Sequence, residues 1–239
     1  MSTMTTQKIT AIEPSKRVPD HWHIHLDGAY AFTLGGAAVV AEQLAIGQEL
    51  SVAESARLRA TAEEGRVMDA ALRFLAARPR SRAEVRRRLL QPHPKRQPIP
   101  PELAESVLDR LDQMGLLDDE RFAEYWAEQR ERFSPRAAYA ITQELRQRGV
   151  DAATAASAAD PEDDAARALA AGRQRLRALR GADEQTFRVK LGQFLLRRGF
   201  SYGVAREATR ALWEEITGAR PSDDEHDDER DDATGSPFE

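Results

Sequence analysis

The feature that most limits what this chain can fold into is a degenerate repeat, first met in Arg78–Arg132. That stretch opens RPRSRAEVRRRLLQ, closes GLLDDERFAEYWAEQR, and reads as three short helices in succession. Ser81-Arg82-Ala83-Glu84 has the form of a capping box, in which the hydroxyl and the carboxylate each satisfy one free amide of the opening turn. Val85 and Leu89 then fall four apart on one face, flanked by Arg86, Arg87 and Arg88, with Arg87 pointing furthest from the stripe. A second helix follows Pro100-Pro101, with Ile99, Leu103, Val107 and Leu111 as its apolar side and Gly115 to close it. Asp118 caps a third, whose apolar face is Phe122, Tyr125 and Trp126.

Sliding the pattern by 56 residues lays Pro79-Arg80 on Pro135-Arg136, Val85 on Ile141 and Leu89 on Leu145. A further shift of 50 lays Ile141 on Leu191, Leu145 on Leu195 and Gly149 on Gly199, so that LRQRGV and LLRRGF coincide. The second-helix stripes then align as Ile99/Leu103/Val107, Val150/Thr154/Ala158 and Phe200/Val204/Ala208. A period of about 50 residues is that of a helical array, in which each thin layer buries its apolar face against the next. The third helix of the second copy begins at Asp160-Pro161, and Asp183 begins the last copy, which runs to about Ile216. The first copy alone carries a Pro-rich, basic connection, Pro92–Pro101, where the others have a glycine turn.

Ahead of the array, Gln7–Glu13, Trp22–Leu26 and Tyr30–Leu34 alternate as strands, and Asp27-Gly28 supplies the positive φ values of a two-residue hairpin. A helix over Ala37–Ala45 closed by Gly47 follows, then a long one from the capping box at Ser51 to about Arg78. His21, His23 and His25 share one strand face. Three alternate imidazoles on a straight strand cannot surround one ion, and the face is read as solvated. The predicted organisation is an N-terminal extension (1–65), three-helix repeats at 66–132, 133–181 and 182–218, and an acidic tail (219–239).

The net charge of −5 averages two unlike pieces. Pro221–Glu239 holds nine acids and one Arg, a net of −8, which leaves +3 on residues 1–220. Such a tail cannot bury a core and is expected to be disordered. Within the body, Arg78–Arg96 carries eight Lys/Arg against one Glu. With no cysteine, thiolate chemistry and disulfides are excluded. No apolar run approaches the ~20 residues of a membrane span, and Met1–Thr10 lacks a secretory core, so the protein is read as soluble and cytoplasmic.

No phosphate loop, dinucleotide fingerprint, zinc-protease helix or nucleophile elbow is present, so no enzyme and no cofactor or metal is expected. Asp118-Asp119-Glu120 is the one carboxylate cluster of the body. At a helix start it is read as a cap rather than an acid/base or metal site. The candidate binding surface is basic: Arg78, Arg80, Arg82, Arg86, Arg87, Arg88, Lys95 and Arg96, with Arg146/Arg148 and Arg197/Arg198 at matching helix ends. Trp126, Trp213 and Tyr202 are assigned to packing.

The phrases ALRFLAARPRSRAEVRRRLL, LLDDERFAEYWAEQR, SPRAAYAITQELRQRGV and VKLGQFLLRRGF make residues 66–215 resemble the RecX family, regulators of the RecA recombinase. KITAIEPSKR and HIHLDGAYAFTL resemble the extension of longer members. The resemblance implies a mainly α protein of tandem three-helix repeats in an elongated, curved array. It also implies binding to RecA and the RecA–DNA filament, limiting assembly, ATPase and strand exchange. DNA is a further expected partner, and a monomer the expected state. The alternatives are a helical DNA- or RNA-binding protein acting without RecA, and an adaptor for an acidic protein. The Pro-rich insertion and the acidic tail depart from the family pattern.

Overall fold

The computed structural model describes residues 6–94 and 97–218; Lys95, Arg96 and the acidic tail lie outside them. The described chain is mainly helical, with a small sheet at its start. Strands β1 (Thr6–Pro14), β2 (His21–Leu26), β3 (Ala29–Gly35) and β4 (Glu49–Ser51) form an antiparallel sheet in the order β3-β2-β1-β4. The β2–β3 turn is built as expected, with positive φ at Asp27 (49°) and Gly28 (85°). The first helix is shorter than its sequence implies. It spans only Gly36–Ala41 (α1), and the chain then turns through left-handed Gln43 and Gly47 to lay β4 beside β1.

Helix α2 (Val52–Leu75) starts at a complete capping box, Ser51 with Glu54. Its N-terminal half presents Leu58 to Ile9, Ile24, Leu26, Phe32, Leu34 and Leu50 of the sheet. Its C-terminal half presents Val67 and Ala71 to the next core. The histidine face of β2 is not simply solvated. His21 Nε2 lies 2.8 Å from Asp69 of α2, His23 Nδ1 2.8 Å from the Thr33 hydroxyl, and Tyr30 meets the rings of His23 and His25 edge-on. Cross-strand and helix partners that alternation cannot reveal cover it.

The helices that follow are α3 (Arg82–Leu90), α4 (Pro101–Gln113), α5 (Asp119–Phe133), α6 (Ala138–Gln147), α7 (Ala152–Ser157), α8 (Asp164–Arg175), α9 (Glu184–Arg197) and α10 (Tyr202–Thr217). Contacts group the chain into two compact units, Met1–Gln129 with Ile141–Ala159, and Arg130–Ala140 with the chain from Asp160 onward. In the first, Val67, Ala71, Val85, Leu89, Val107, Leu108 and Leu111 form the helical core. In the second, Ala168, Ala171, Phe187, Leu191, Leu195, Phe200 and Leu212 do.

The repeat register holds in the burial pattern. Val85/Leu89, Ile141/Leu145 and Leu191/Leu195 are all buried. On the second helices the expected stripe is buried at Val107, Val150, Phe200 and Ala208, and a further buried position falls one residue beyond its middle member. Leu103, Thr154 and Val204 are half-buried, whereas Ala104, Ala155 and Ala205 are buried. Alanine is small and carries little apolar signal, so periodicity alone does not single out these three buried positions.

Gly149 and Gly199, at the ends of α6 and α9, are left-handed (φ 88° and 91°). A Cβ on Gly149 would collide with the Ala83 side chain of α3, and one on Gly199 would stand 2.8 Å from the Ala140 Cβ. Gly115 is equally left-handed (φ 67°) but has open space around it. Gly115→Ala is therefore expected to cost only the backbone strain, about 1 kcal/mol. Gly149→Ala adds steric overpacking and is expected to cost about 3 kcal/mol by denaturant titration. Equal costs for the two would refute the close approach.

Candidate nucleic-acid interface

The helix-end phrases are where the basic residues meet the packing. In the first unit the Ser81 hydroxyl donates to the Arg148 carbonyl (2.6 Å) and accepts from the Glu84 amide (3.1 Å). The expected capping box is thus only half formed, because Glu84 turns to the Arg78 guanidinium (3.1 Å) and lies 3.9 Å from Arg148. Arg148 also stacks over the Trp126 ring at 3.7 Å, and Trp126 Nε1 donates to Glu144 at 2.8 Å. In the second unit the Ala137 amide donates to the Arg198 carbonyl (3.2 Å), and Arg198 stacks over Phe194 at 4.6 Å. Ser81 and Ala137 are equivalent in the 56-residue register, as are Arg148 and Arg198 in the 50-residue one.

Arg146 and Arg197, by contrast, are exposed, have no side-chain partner among the described residues, and are not equivalent to each other. Arg146 aligns with Leu196, and Arg197 with Gln147.

A second recurring contact was hidden in the acidic cluster. Asp118 caps α5 as expected, accepting from the Arg121 amide (3.0 Å). Asp119 instead accepts from the Arg82 amide at the start of α3 (2.8 Å), and Asp164 of α8 accepts likewise from the Ala138 amide at the start of α6 (2.8 Å). Burial raises the Asp119 pKa, reinforced by Asp112 and Asp151 and opposed by the Arg82 amide. Asp164 is held by Arg167, only 7% exposed, whose guanidinium also reaches the Asp160 carbonyl. No sequence motif marks these links, since donor and acceptor are far apart in the chain.

The arginines of the first copy are not equally available. Arg82 is gathered in by Glu105, Asp109 (2.7 Å) and Asp112 of α4, and Arg86 by Glu105. The Arg86 contact is the main cause of a lowered Glu105 pKa. Arg80 lies over the Phe74 ring at 4.0 Å, its pKa lowered by burial and then by Arg78. Arg88 approaches the same ring at 5.9 Å, and its guanidinium reaches Gln91 at 3.5 Å. Arg87 is exposed with no partner among the described residues.

Arg80, Arg86, Arg87 and Arg88 line one shallow concavity with Phe74. Arg66 and Arg73 of α2, absent from the sequence reading, join Arg88 and His93 in the adjoining one. Among the packing aromatics, Trp213 meets Phe187 (centroids 5.1 Å apart), whereas Tyr202 is 71% exposed and packs on nothing comparable. No group of three or more metal-ligating side chains occurs among the described residues, and none of their helices is long and apolar enough to cross a membrane.

Three consecutive segments match the RecX family: its first three-helix domain over residues 68–111, its second over 118–158 and its third over 162–209. The chain is 39% identical over 142 residues to the regulatory protein RecX of Thermobifida fusca, covering 58% of this chain and 74% of that protein. It is 36% identical over 147 residues to that of Prosthecochloris aestuarii, covering 62% and 93%. A crystal structure of a regulatory protein RecX superposes with a TM-score of 0.62 at 26% identity, over 85% of this chain and 99% of the other. RecX from Lactobacillus salivarius superposes at 0.50 and 21% identity, over 63% and 96%, a likeness of fold.

Two substitutions separate structural from available charge. Asp119→Ala removes the acceptor for the Arg82 amide and is expected to cost about 1 kcal/mol. Asp119→Asn keeps an acceptor without the buried charge. Because the folded pKa is raised, the charged form is the costly one, and stability falls as pH climbs from the ordinary carboxylate value through the folded one. Asp119→Asn should therefore match or exceed the parent melting temperature at pH 7, and the difference should vanish below the ordinary carboxylate range. A loss at pH 7 equal to that of the alanine variant would refute the assignment.

Proposed function

The chain belongs to the RecX family of regulatory proteins, and from that premise we propose that it regulates RecA by binding RecA and its filament on DNA. The observation that carries the reading is the run of all three family domains in order, each built on the same buried register. The protein acts by binding, as a cytoplasmic monomer, without cofactor or chemistry of its own. It lays helices along adjacent filament subunits and so limits filament assembly, ATP hydrolysis and strand exchange.

The electrostatic part of the contact comes from side chains that no carboxylate among the described residues engages. Arg87, Arg88, Arg146 and Arg197 are exposed, whereas Arg82 and Arg86 are tied to α4 acids. Lys95 and Arg96 complete the basic stretch of the sequence. Arginine suits phosphate because its planar fork presents paired donors and is weakly hydrated. Phosphate contact releases condensed counterions, so the interaction should weaken steeply with salt.

The deciding measurement is DNA-dependent ATP hydrolysis by RecA, with the protein added below one-to-one and at two salt concentrations. Inhibition at substoichiometric ratios, weaker at the higher salt, is the expected result. Unchanged hydrolysis with naked DNA still bound would replace this reading with a nucleic-acid-binding protein acting without RecA. Binding to neither would leave an adaptor. Replacing Arg87 and Arg88 together with Gln should reduce inhibition about tenfold while leaving the melting temperature unchanged, because both flank the Val85/Leu89 stripe without forming it.

A further inference from the structure

The two helix-end contacts share a left-handed glycine turn, use different donors and differ in charge. In the first unit, Arg148 lies beside Glu84, which is itself bound to Arg78. In the 56-residue register Arg78 becomes Ser134 and Glu84 becomes Ala140. Arg198, the counterpart of Arg148, therefore meets only neutral acceptors: one guanidinium nitrogen donates to Ser134 Oγ (3.0 Å) and to the Pro135 carbonyl (2.9 Å). Arg175 of α8 comes to the same aromatic ring, its guanidinium 5.6 Å from the Phe194 centroid against 4.6 Å for Arg198. Among the described residues, neither Arg175 nor Arg198 has a carboxylate partner.

Burial lowers the Arg198 pKa, and the fields of Arg136, Arg130 and Arg175 lower it further. Two guanidiniums, those of Arg175 and Arg198, thus meet where the first unit keeps an acid of its own. Arg198 is anchored by two hydrogen bonds and an aromatic face, so little side-chain freedom remains to be lost when it takes an anion. A phosphate can accept from two guanidiniums at once, each through a charge-assisted bond.

We propose that Arg175 and Arg198, set around the Phe194 ring, form a DNA phosphodiester-binding site whose counterpart position in the first unit is filled internally by Glu84. The proposal rests on the DNA-contacting part of the function above. It places a contact at the ends of α8 and α9, well removed in sequence from the Arg78–Arg96 patch. It also adds Arg175, which the composition of that patch does not single out.

The test is fluorescence anisotropy of the full chain with a labelled single-stranded oligodeoxynucleotide, titrated at several salt concentrations without RecA. Two variants are compared with the parent: Arg175→Gln, which removes an exposed cation, and Ala140→Glu, which supplies the carboxylate the first unit has. Each is expected to weaken binding five- to tenfold and to reduce the slope of log K against log salt by about 1. Should Ala140→Glu lower the melting temperature, Arg175→Gln decides alone.

Parent-like affinity and slope in the variants, with the parent binding DNA, would overturn this site and leave the function standing. No DNA binding by the parent at low salt would overturn the DNA-contacting reading and this site with it. Variants that bind DNA normally but lose RecA filaments would assign the pair to an acidic protein surface, and that too would overturn it.

Discussion

The starts of α3 and α6 depend on one arrangement: a helix-end glycine that lets the carbonyl before it reach the start of an earlier helix. In the first unit the Arg148 carbonyl takes the Ser81 hydroxyl, and in the second the Arg198 carbonyl takes the Ala137 amide. Both donors are buried, so water cannot substitute for the acceptor, and an unsatisfied group there would cost on the order of 1–3 kcal/mol. The same turn needs a residue without a side chain, because the glycine lies against Ala83 in one case and Ala140 in the other. Asp119 and Asp164 then satisfy the next free amides from the opening turn of a later helix. The starts of α3 and α6 are therefore completed by residues from later segments, which makes these N-termini products of tertiary structure.

This explains what could be read from the chain and what could not. The stripe Val85/Leu89 and its two copies follow from spacing alone, because burial of a helix face is a periodic demand. The Asp27-Gly28 turn follows from backbone sterics. The half-made box at Ser81 did not follow. Its motif is the same as at Ser51, and only the presence of Arg78 and Arg148 draws Glu84 away. The buried Ala104, Ala155 and Ala205 did not follow either, because small residues carry little apolar signal. Strand β4 was missed because three residues at a sheet edge hold too little pattern, and α1 was overrun for the same reason.

The basic surface shows the same division between composition and structure. Eight cations within Arg78–Arg96 suggest a uniform patch, yet Arg82 and Arg86 sit among acids of α4 and Arg80 lies over the Phe74 ring. The acids that engage Arg82 and Arg86 fall between 105 and 112, outside the basic stretch. Repeat register carried more information than charge density. It distinguishes Arg148 and Arg198, which hold equivalent positions, from Arg146 and Arg197, which do not. It also exposes the replacement of Glu84 by Ala140, a difference that no count of arginines would show.

The direction of these contacts sets an order on folding. Ser81 is satisfied by a residue 67 positions later, and Arg198 reaches back 63 and 64 positions to Pro135 and Ser134. A chain emerging from the ribosome N-terminus first can form α3 as a helix. It cannot close the buried start of that helix until Arg148 has been made. The segment around Ser134–Ala140 waits in turn for Arg198. Helix α9 is different: its first turn is capped locally, Asp183 accepting from the Thr186 amide at 2.8 Å. Synthesis thus leaves each earlier start open until a later segment arrives, and the last of the described first helices completes itself.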